Sequence, residues 1–362
     1  MPSIASDYKD EGLVVSKPID NKAAGATQKR RATSYDVAKL AGVSQSAVSR
    51  VFQRGASASD AMRDRVLTAA NQLGYRPNAI ARGLITQRSN MVAVVIGKQT
   101  NLFYPEVLVQ LTQHLSDRDV RVLLFTLTRE SDVDDVLEQM LRYRVDGVVM
   151  AAMIDESHLT TFESGGIPLV LYNRSFPERQ VSSVRCDQND GERWLTGALL
   201  AAGHRRFAVI SGPEDSPVST ERTASALNRL REFGIDDVPV VHGDYSYASG
   251  REASETLLDT HKNLDAIIAA NDAMAIGCID SARNTFGYDV PEDLSVVGFD
   301  GIGPSRFGAY RLTTVRQPVG RMTEAVVDML MQRIENPALS PEQRVFSGEY
   351  VVGGSAHIET AQ

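Results

Sequence analysis

The chain of 362 residues is poor in the residue types that cross-link chains or bind metals, with two cysteines and six histidines. Cys186 and Cys278 lie far apart and have no Cys/His partner pattern, so neither a disulfide framework nor a structural zinc site is expected. The histidines are dispersed, and no cofactor is expected. The sequence also lacks a Gly-x-Ser-x-Gly motif, a P-loop and a dinucleotide fingerprint. We therefore predict neither a metal site nor a catalytic site.

Long apolar segments are absent as well. No window approaches the length of a transmembrane helix, and the N-terminus has no continuous apolar core of the signal-peptide type. We expect a cytoplasmic protein without membrane contact.

The net charge of −8 is distributed unevenly. Residues 29–88 contain eleven Lys and Arg against three acidic residues, so this segment carries +8 and the rest of the chain is acidic. A basic module on an acidic body is typical of nucleic-acid binding, although a solvated surface is the alternative. Residues 1–31 lack apolar periodicity and are predicted to form a disordered arm. The arm's basic triplet, residues 29–31, could contact phosphates or remain solvated.

Two short helices joined by a tight turn are predicted for residues 33–51. Thr33 and Ser44 are capping residues, and Gly42 suits the left-handed turn between the helices. Apolar residues recur at helical spacing, at Val37, Leu40 and Ala41 in the first helix and at Ala47, Val48 and Val51 in the second. This pattern predicts a helix-turn-helix, whose second helix can enter a DNA major groove.

An ordered set of motifs extends from the helix-turn-helix to the C-terminal region. After a third predicted helix at residues 59–74, the motifs are Leu73-Gly-Tyr-Arg-Pro-Asn78, Ala79-Ile-Ala-Arg-Gly-Leu84, Gly203-His204-Arg205, Ala270-Asn-Asp-Ala-Met-Ala-Ile-Gly277, Val296-Val-Gly-Phe-Asp300 and Leu312-Thr-Thr-Val-Arg-Gln-Pro318. In content and order they resemble the lac and purine repressor family of bacterial transcription regulators. The resemblance covers the chain from about Thr33 onward.

The resemblance implies three groups of DNA contacts. Gln45 and Ser46 would contact base edges, and Arg50 a base or the nearby backbone, unless Arg50 forms only a surface salt bridge. The expected phosphate contacts, which set register, are Thr33, Tyr35, Ser44, Ser49 and Gln53. A hinge helix would enter the minor groove with Asn78, Ala81, Arg82 and Leu84. Leu84 would wedge into a base step, the alternative being packing in a linker.

From Met91 onward, short β-rich runs alternate with amphipathic helices. The predicted strands are Met91–Ile96, Val122–Thr126, Gly147–Met150, Pro168–Tyr172, Phe207–Ser211, Val238–Val241, Ala266–Ala269 and Ser295–Phe299. Apolar strands alternating with helices predict parallel sheets covered on both faces, and two such sets predict two doubly wound lobes with a ligand cleft between them. The predicted fold is α/β, with an N-terminal helix-turn-helix and hinge helix before a domain that resembles the periplasmic sugar-binding fold.

The predicted domain boundaries follow from these elements and the resemblance. Residues 1–31 are the arm, 32–77 the DNA-binding domain, 78–88 the hinge and linker, and 89–362 the effector-binding and dimerisation domain. Lobe 1 takes residues of about 89–187 and 317–343. Lobe 2 takes about 188–315 and 344–354, including a last strand, Val345–Val352.

Six residues are candidate ligand contacts in the cleft. By the resemblance, Arg222 matches a cleft arginine. With Asn271 and Asp300 it could hold a polyol through charge-assisted hydrogen bonds. Phe103 and Tyr104 would supply aromatic contacts, and Asn173 follows the fourth predicted strand. Each of these residues alone could instead be a loop cap or a surface pair.

The resemblance implies a dimeric, ligand-responsive DNA-binding regulator, specifically a repressor, on a pseudo-palindromic operator of double-stranded DNA. The expected effector is a small sugar or sugar derivative, with a purine or nucleoside as the alternative. A solute-binding protein of the same two-lobed fold would need an export signal and would have no DNA module. An enzyme on a doubly wound fold is disfavoured by the missing catalytic residues.

Overall fold

The computed structural model describes residues 32–52, 57–77, 88–97, 102–127, 133–176 and 179–358. The chain divides into two compact units, Met1–Arg82 and Gly83–Gln362. The predicted arm and the proposed DNA contacts Gln53, Asn78, Ala81, Arg82 and Leu84 lie outside the described residues.

The smaller unit contains the predicted helix-turn-helix and a third helix. Its helices are α1 Ser34–Ala41, α2 Gln45–Val51 and α3 Asp60–Leu73. Thr33 and Asp36 form a capping box on α1, in which each side chain accepts a hydrogen bond from the other residue's backbone N–H. Gly42 ends α1 at φ 64°, a left-handed conformation that glycine adopts without a Cβ clash. The caps therefore fix the turn that sets α2 against α1.

The core of this unit is small and consists of short side chains. Val37, Val48 and Val66, one from each helix, are fully buried. Leu40 does not belong to the core as its spacing suggested, because its side chain is 51% exposed and Ala38 is buried instead. The alanines at the helix contacts let the three short helices approach closely. Leu40 lies on a face of α1 outside this core.

The larger unit contains two six-stranded sheets. The strands of the first are β1 Met91–Gly97, β2 Arg121–Leu127, β3 Gly147–Ala151, β4 Leu169–Tyr172, β5 Ser183–Cys186 and β11 Gln343–Phe346. The strands of the second are β6 Phe207–Ser211, β7 Val240–His242, β8 Ala266–Ala269, β9 Ser295–Asp300, β10 Thr313–Arg316 and β12 Glu349–Val351. Their orders are β11-β5-β4-β3-β1-β2 and β12-β10-β9-β8-β6-β7. All pairs are parallel except β10–β12.

Helices pack on these sheets, as the alternation of elements predicted. They are α4 Tyr104–Ser116, α5 Val133–Tyr143, α6 Glu156–Ser164, α7 Gln188–Ala201, α8 Pro217–Arg231, α9 Tyr247–Thr260, α10 Asp272–Asn284 and α11 Val319–Glu335. β3, β4, β8 and β9 are buried along their whole length, as expected of parallel strands covered on both faces. The α/β fold with two doubly wound lobes is confirmed.

The chain passes between the lobes three times, after β5, β10 and β11. The prediction of one last strand, Val345–Val352, in the second lobe was wrong. Residues 343–346 pair with β5 in the first sheet, and residues 349–351 pair with β10 in the second. Gly348 lies at this passage, where a Cβ would come within 2.3 Å of the Val315 side chain. The β-rich sequence of residues 345–352 carries no local signal of this change of sheet, which the strand pairings show.

Candidate functional site

The exposed face of α2 is the first candidate site. Ser46, Ser49 and Arg50 are exposed, while Ala47, Val48 and Val51 hold the opposite face in the core. Of the predicted base-reading residues, Ser46 and Arg50 thus lie on the exposed face of α2, whereas Gln45 at its start is half-buried. Tyr35, a predicted phosphate contact at the start of α1, is 72% exposed.

Two hydrogen bonds orient the beginning of α2. The Ser44 hydroxyl accepts from Ala47 N at 3.2 Å and lies 2.9 Å from the Ser46 hydroxyl. Gln45, which is half-buried, donates from Nε2 to the Ser34 hydroxyl at 3.4 Å. A DNA contact by Gln45 would break its hydrogen bond to Ser34, which is long and therefore weak.

The second candidate site lies at the carboxyl ends of the strands, between the two sheets. Asn173 follows β4, Asp300 ends β9, and Gln317 follows β10. A ligand binds at this edge of open parallel sheets, because helix N-termini and loops converge there.

Arg222 of α8 lies on the second-lobe side of the cleft. It is 2% exposed. Its guanidinium donates from Nε to Gln188 Oε1 at 2.7 Å, from Nη1 to the Ala270 carbonyl at 2.6 Å and from Nη2 to Asp300 Oδ1 at 2.9 Å. The group also lies 3.8 Å above the centre of the Phe299 ring, a cation–π contact. A buried guanidinium requires this number of partners to offset its lost hydration.

Asp300 connects this arginine to the other lobe. Its Oδ1 also accepts from Gln317 Nε2 at 2.8 Å, and Gln317 Oε1 accepts from Asn173 Nδ2 at 2.6 Å. Asp300 has φ 114°, a conformation costly for a residue with a Cβ, and such strain is often found at ligand sites. Burial raises the pKa of Asp300, while Arg222 and Gln317 oppose that shift.

Aromatic side chains form the first-lobe side of the cleft. Phe103 and Tyr104 are buried and pack edge to face, with ring centres 5.4 Å apart. The Tyr104 hydroxyl donates to the Ala151 carbonyl at 3.3 Å. Arg174, Asp300 and Tyr245 all influence the pKa of Tyr104, which burial raises. The charges of Arg174 in the first lobe and Asp300 in the second thus act on the pKa of Tyr104 in opposite directions.

Asn271 is engaged within the protein. Its Oδ1 accepts from Met274 N at 2.9 Å as the cap of α10, and its Nδ2 donates to the Tyr245 carbonyl at 3.1 Å. Asn271 thus acts as a helix cap, the alternative role expected from the sequence. A ligand that contacts Asn271 would have to share its amide oxygen or nitrogen with these partners.

Sequence reasoning missed four residues of this cleft, namely Arg174, Gln188, Tyr245 and Gln317. Gln317 lies in a family-like motif, Leu312–Pro318, which could have pointed to it. Gln188 and Tyr245 stand next to helix starts and carried no signal of their own. Their contacts with Arg222 and Asn271 depend on pairings between distant segments.

Two buried acids lie near the cleft pair. Burial raises the pKa of Glu192 to about 8, and Arg222 partly opposes the shift. Burial and Asp300 raise the pKa of Asp272 to about 8, although Asp272 accepts hydrogen bonds from Thr314 Oγ1 at 2.5 Å and Ile302 N at 2.8 Å. The raised pKa of each group favours its protonated form, and Asp300 is the carboxylate that pairs with Arg222 at 2.9 Å.

Glu192→Gln is expected to flatten the fall in stability between pH 5 and 8. The folded wild type keeps the Glu192 proton up to a pKa of about 8, whereas the unfolded chain loses it near 4.5. The contribution is complete below pH 4.5 and is lost as pH rises through 8, at up to about 1.4 kcal/mol per pH unit. Urea unfolding followed by Trp194 fluorescence, two residues along α7, measures the difference. The exposed control Glu324→Gln should keep the wild-type slope, and parallel curves for wild type and Glu192→Gln would contradict the assignment.

The described residues contain neither a membrane-spanning helix nor a metal-binding cluster. None of their helices is long and apolar enough to cross a membrane. No group of three or more His, Cys, Asp or Glu side chains among them could hold a metal ion.

Two family models match this architecture of a helix-turn-helix joined to a two-lobed α/β unit. That of the bacterial regulatory proteins of the lacI family matches residues 33–78. That of the periplasmic binding protein-like domain matches residues 196–356. The HTH-type transcriptional regulator CelR of Thermobifida fusca is 32% identical over 335 residues, covering 90% of this chain and 98% of that protein. Catabolite control protein A of Priestia megaterium is 33% identical over 292 residues, covering 79% and 88%.

Solved structures agree with these relatives. The lac repressor dimer bound to operator and the anti-inducer ONPF has a TM-score of 0.81 at 25% identity, covering 90% of this chain and 99% of that one. The complex of CelR with cellobiose has a TM-score of 0.68 at 31% identity, covering 90% and 100%. The fold and sites define a DNA-binding transcription regulator controlled by an effector. The chain belongs to the lacI family of bacterial regulatory proteins, and the named relatives are regulators rather than enzymes.

Proposed function

We propose that this chain is a homodimeric repressor that binds a pseudo-palindromic operator and changes its operator affinity when a small metabolite binds in the cleft. The observation that carries the proposal is the Arg222–Asp300 pair, buried at the strand ends of a unit that follows a helix-turn-helix in the same chain. Such a repressor acts in the cytoplasm, where operator DNA is found. The solute-binding alternative is not retained, because the DNA module matches the lacI family.

The proposed DNA contacts lie mainly on the exposed face of α2. Arg50 and Ser46 extend from it and can reach base edges, with Gln45 at the helix start. Thr33, Tyr35, Ser44 and Ser49 supply phosphate contacts that set the register. One such helix reads one half-site, so a twofold dimer reads the palindrome. Leu84 keeps its proposed role as the minor-groove wedge and residues 78–88 their role as the hinge.

The effector we propose is a polar metabolite with several hydroxyl groups, a sugar or sugar derivative. Asp300 and Arg222 offer charge-assisted hydrogen bonds from the second lobe, and Phe103 and Tyr104 offer an apolar face from the first. Relatives support a sugar, since CelR was solved with cellobiose. A ligand held between the lobes changes their relative angle, which the hinge would transmit to the DNA module.

The test combines ligand screening with DNA binding. The full chain is screened by thermal shift against neutral sugars, sugar acids, sugar phosphates and nucleosides, because a bound ligand raises the midpoint by mass action. Each compound that raises the midpoint is then added to the protein bound to an operator selected from random DNA. We expect a sugar or sugar derivative to change operator affinity. If none of the stabilising compounds changes it, the proposal is wrong.

Arg50→Ala is expected to weaken binding to the selected operator by about 1–3 kcal/mol and random DNA by much less. The reason is that a base contact contributes only on the cognate sequence, whereas a phosphate contact contributes on any sequence. Fluorescence anisotropy with both DNAs measures the two losses. Arg65→Ala, an exposed arginine of α3, is the control. Equal losses of affinity for both DNAs would show that Arg50 contacts phosphates rather than a base.

A further inference from the structure

The first-lobe side of the cleft carries an arginine that sequence reasoning did not single out. Arg174 follows Asn173 at the end of β4 and donates from Nη1 to the Asn173 carbonyl at 2.9 Å. Its positive charge lowers the pKa of the Tyr104 hydroxyl, against the larger raising effect of burial. The Nε atom is buried and has no hydrogen-bond partner within the described part of the chain. A buried N–H without a partner in a protein is unusual and calls for an explanation.

Arg174 faces the space between the lobes. Its positive charge acts on the hydroxyls of Tyr104 in the first lobe and Tyr245 in the second. With Asn173, Gln188 and Pro217 it lines a cavity of about 20 Å³. That volume admits about one water molecule, so a larger ligand requires the lobes to move apart. The cavity thus lies at the boundary between the lobes and is lined by residues of both.

The other arginines near this cavity already have acidic partners. Arg222 pairs with Asp300 at 2.9 Å, and Arg185 pairs with Glu221 at 3.3 Å. Across the described residues, no Asp or Glu oxygen lies within 4.0 Å of the Arg174 guanidinium. Among the described residues, the charge of Arg174 thus has no carboxylate at salt-bridge distance.

The start of α8 adds to this positive region. Pro217 and Val218, the first residues of that 15-residue helix, line the same cavity. A helix N-terminus carries a partial positive charge that favours anions. Arginine forms two parallel hydrogen bonds with a carboxylate or a phosphate, and the unpartnered Nε is one of the donors this geometry uses.

We propose that the effector carries an anionic group, a carboxylate or a phosphate, and that Arg174 binds this group from the first lobe while Asp300 and Arg222 bind hydroxyls from the second. The inference rests on the proposed function and narrows its effector to sugar acids or sugar phosphates. Arg174 from the first lobe and the N-terminus of α8 from the second would then both contact the anionic group of the effector.

Matched ligands test the proposal on the full chain. D-Glucuronate, D-gluconate, D-glucose 6-phosphate and neutral D-glucose are compared by calorimetry, together with the same set built on galactose. We expect at least one anionic member to bind at least about tenfold more tightly than its neutral parent. Carboxylates and phosphates in separate arms distinguish the two sources of the anion. The variants are Arg174→Gln, which removes the charge, Arg174→Lys, which keeps it, and Arg185→Gln, an arginine of the same cavity that is already paired.

Arg174→Gln should weaken the anionic ligand by about tenfold to a hundredfold and leave its neutral parent within about twofold. Arg174→Lys should recover part of the loss, and Arg185→Gln should bind the anion like wild type. Circular dichroism checks that each variant is folded. If a neutral sugar binds as tightly as its anions and alters operator affinity, the anion proposal is overturned while the proposed function stands. If no anionic compound binds, the anion proposal is overturned, and the broader ligand screen with operator binding decides the proposed function separately.

Discussion

Operator affinity is expected to fall by about 10³- to 10⁵-fold when monovalent salt rises from about 50 to 200 mM. The eleven Lys and Arg of residues 29–88 give this segment +8, and a dimer presents two copies. Neutralising several phosphates per subunit releases condensed counterions, and this release becomes less favourable as bulk salt rises. The measurement is a log–log plot of the association constant against salt.

A control separates this effect from general charge effects. Arg142→Gln removes an exposed arginine of the larger unit, already paired with Glu138, and should leave the slope unchanged. The acidic remainder of the chain would repel DNA and confine contact to the basic module. An association constant that barely changes with salt would contradict the assignment of residues 29–88 as the DNA-binding surface.

Asp300→Ala is expected to lower the free energy of unfolding of the larger unit by about 3–5 kcal/mol and to abolish the response to effector. The substitution leaves the Arg222 guanidinium buried and without its counter-charge, and it also removes the acceptor for Gln317. One substitution therefore removes both contacts, because the Asp300 carboxylate accepts from Arg222 and from Gln317. Urea unfolding at neutral pH and operator binding with and without effector give the two readouts.

Asp300→Asn is the matched control for this variant. An amide oxygen can still accept one hydrogen bond but does not neutralise Arg222, so the loss of stability should be smaller than for alanine. Operator binding without effector should persist in both variants, because the helix-turn-helix is a separate compact unit. A loss of less than about 1 kcal/mol in Asp300→Ala, with the effector response intact, would show that the pair has neither role.

The sequence predicted the elements whose cause is local. Thr33, Gly42, Ser44, Ser59 and Gly74 mark the ends of α1, α2 and α3, because capping and left-handed turns depend on residues a few positions apart. The apolar runs predicted the buried strands for the same reason. The exposed position of Leu40 was not predictable, since spacing alone cannot say how many faces of a short helix are covered.

What the sequence could not predict depends on distant segments. β5 and β10 were not among the predicted strands, and β11 and β12 were merged, because a chain that changes sheets leaves no local mark. In the cleft, Arg222 and Asp300 were predicted and the structure brings them into contact. No local pattern could indicate that Gln317 links Asp300 to Asn173, because Asn173 and Gln317 are 144 positions apart. The lack of an acidic partner for Arg174 among the described residues likewise depends on packing between distant segments.

The most direct test of effector-controlled operator binding is the operator dissociation constant of the full chain, measured with and without a metabolite that stabilises it in the thermal screen. Coupling between the cleft and the DNA module predicts a change of about 5- to 150-fold, which corresponds to a free energy of about 1–3 kcal/mol. The same change must appear in the affinity for the metabolite when operator is present, because linkage is reciprocal. The same operator dissociation constant with and without saturating metabolite would contradict the account.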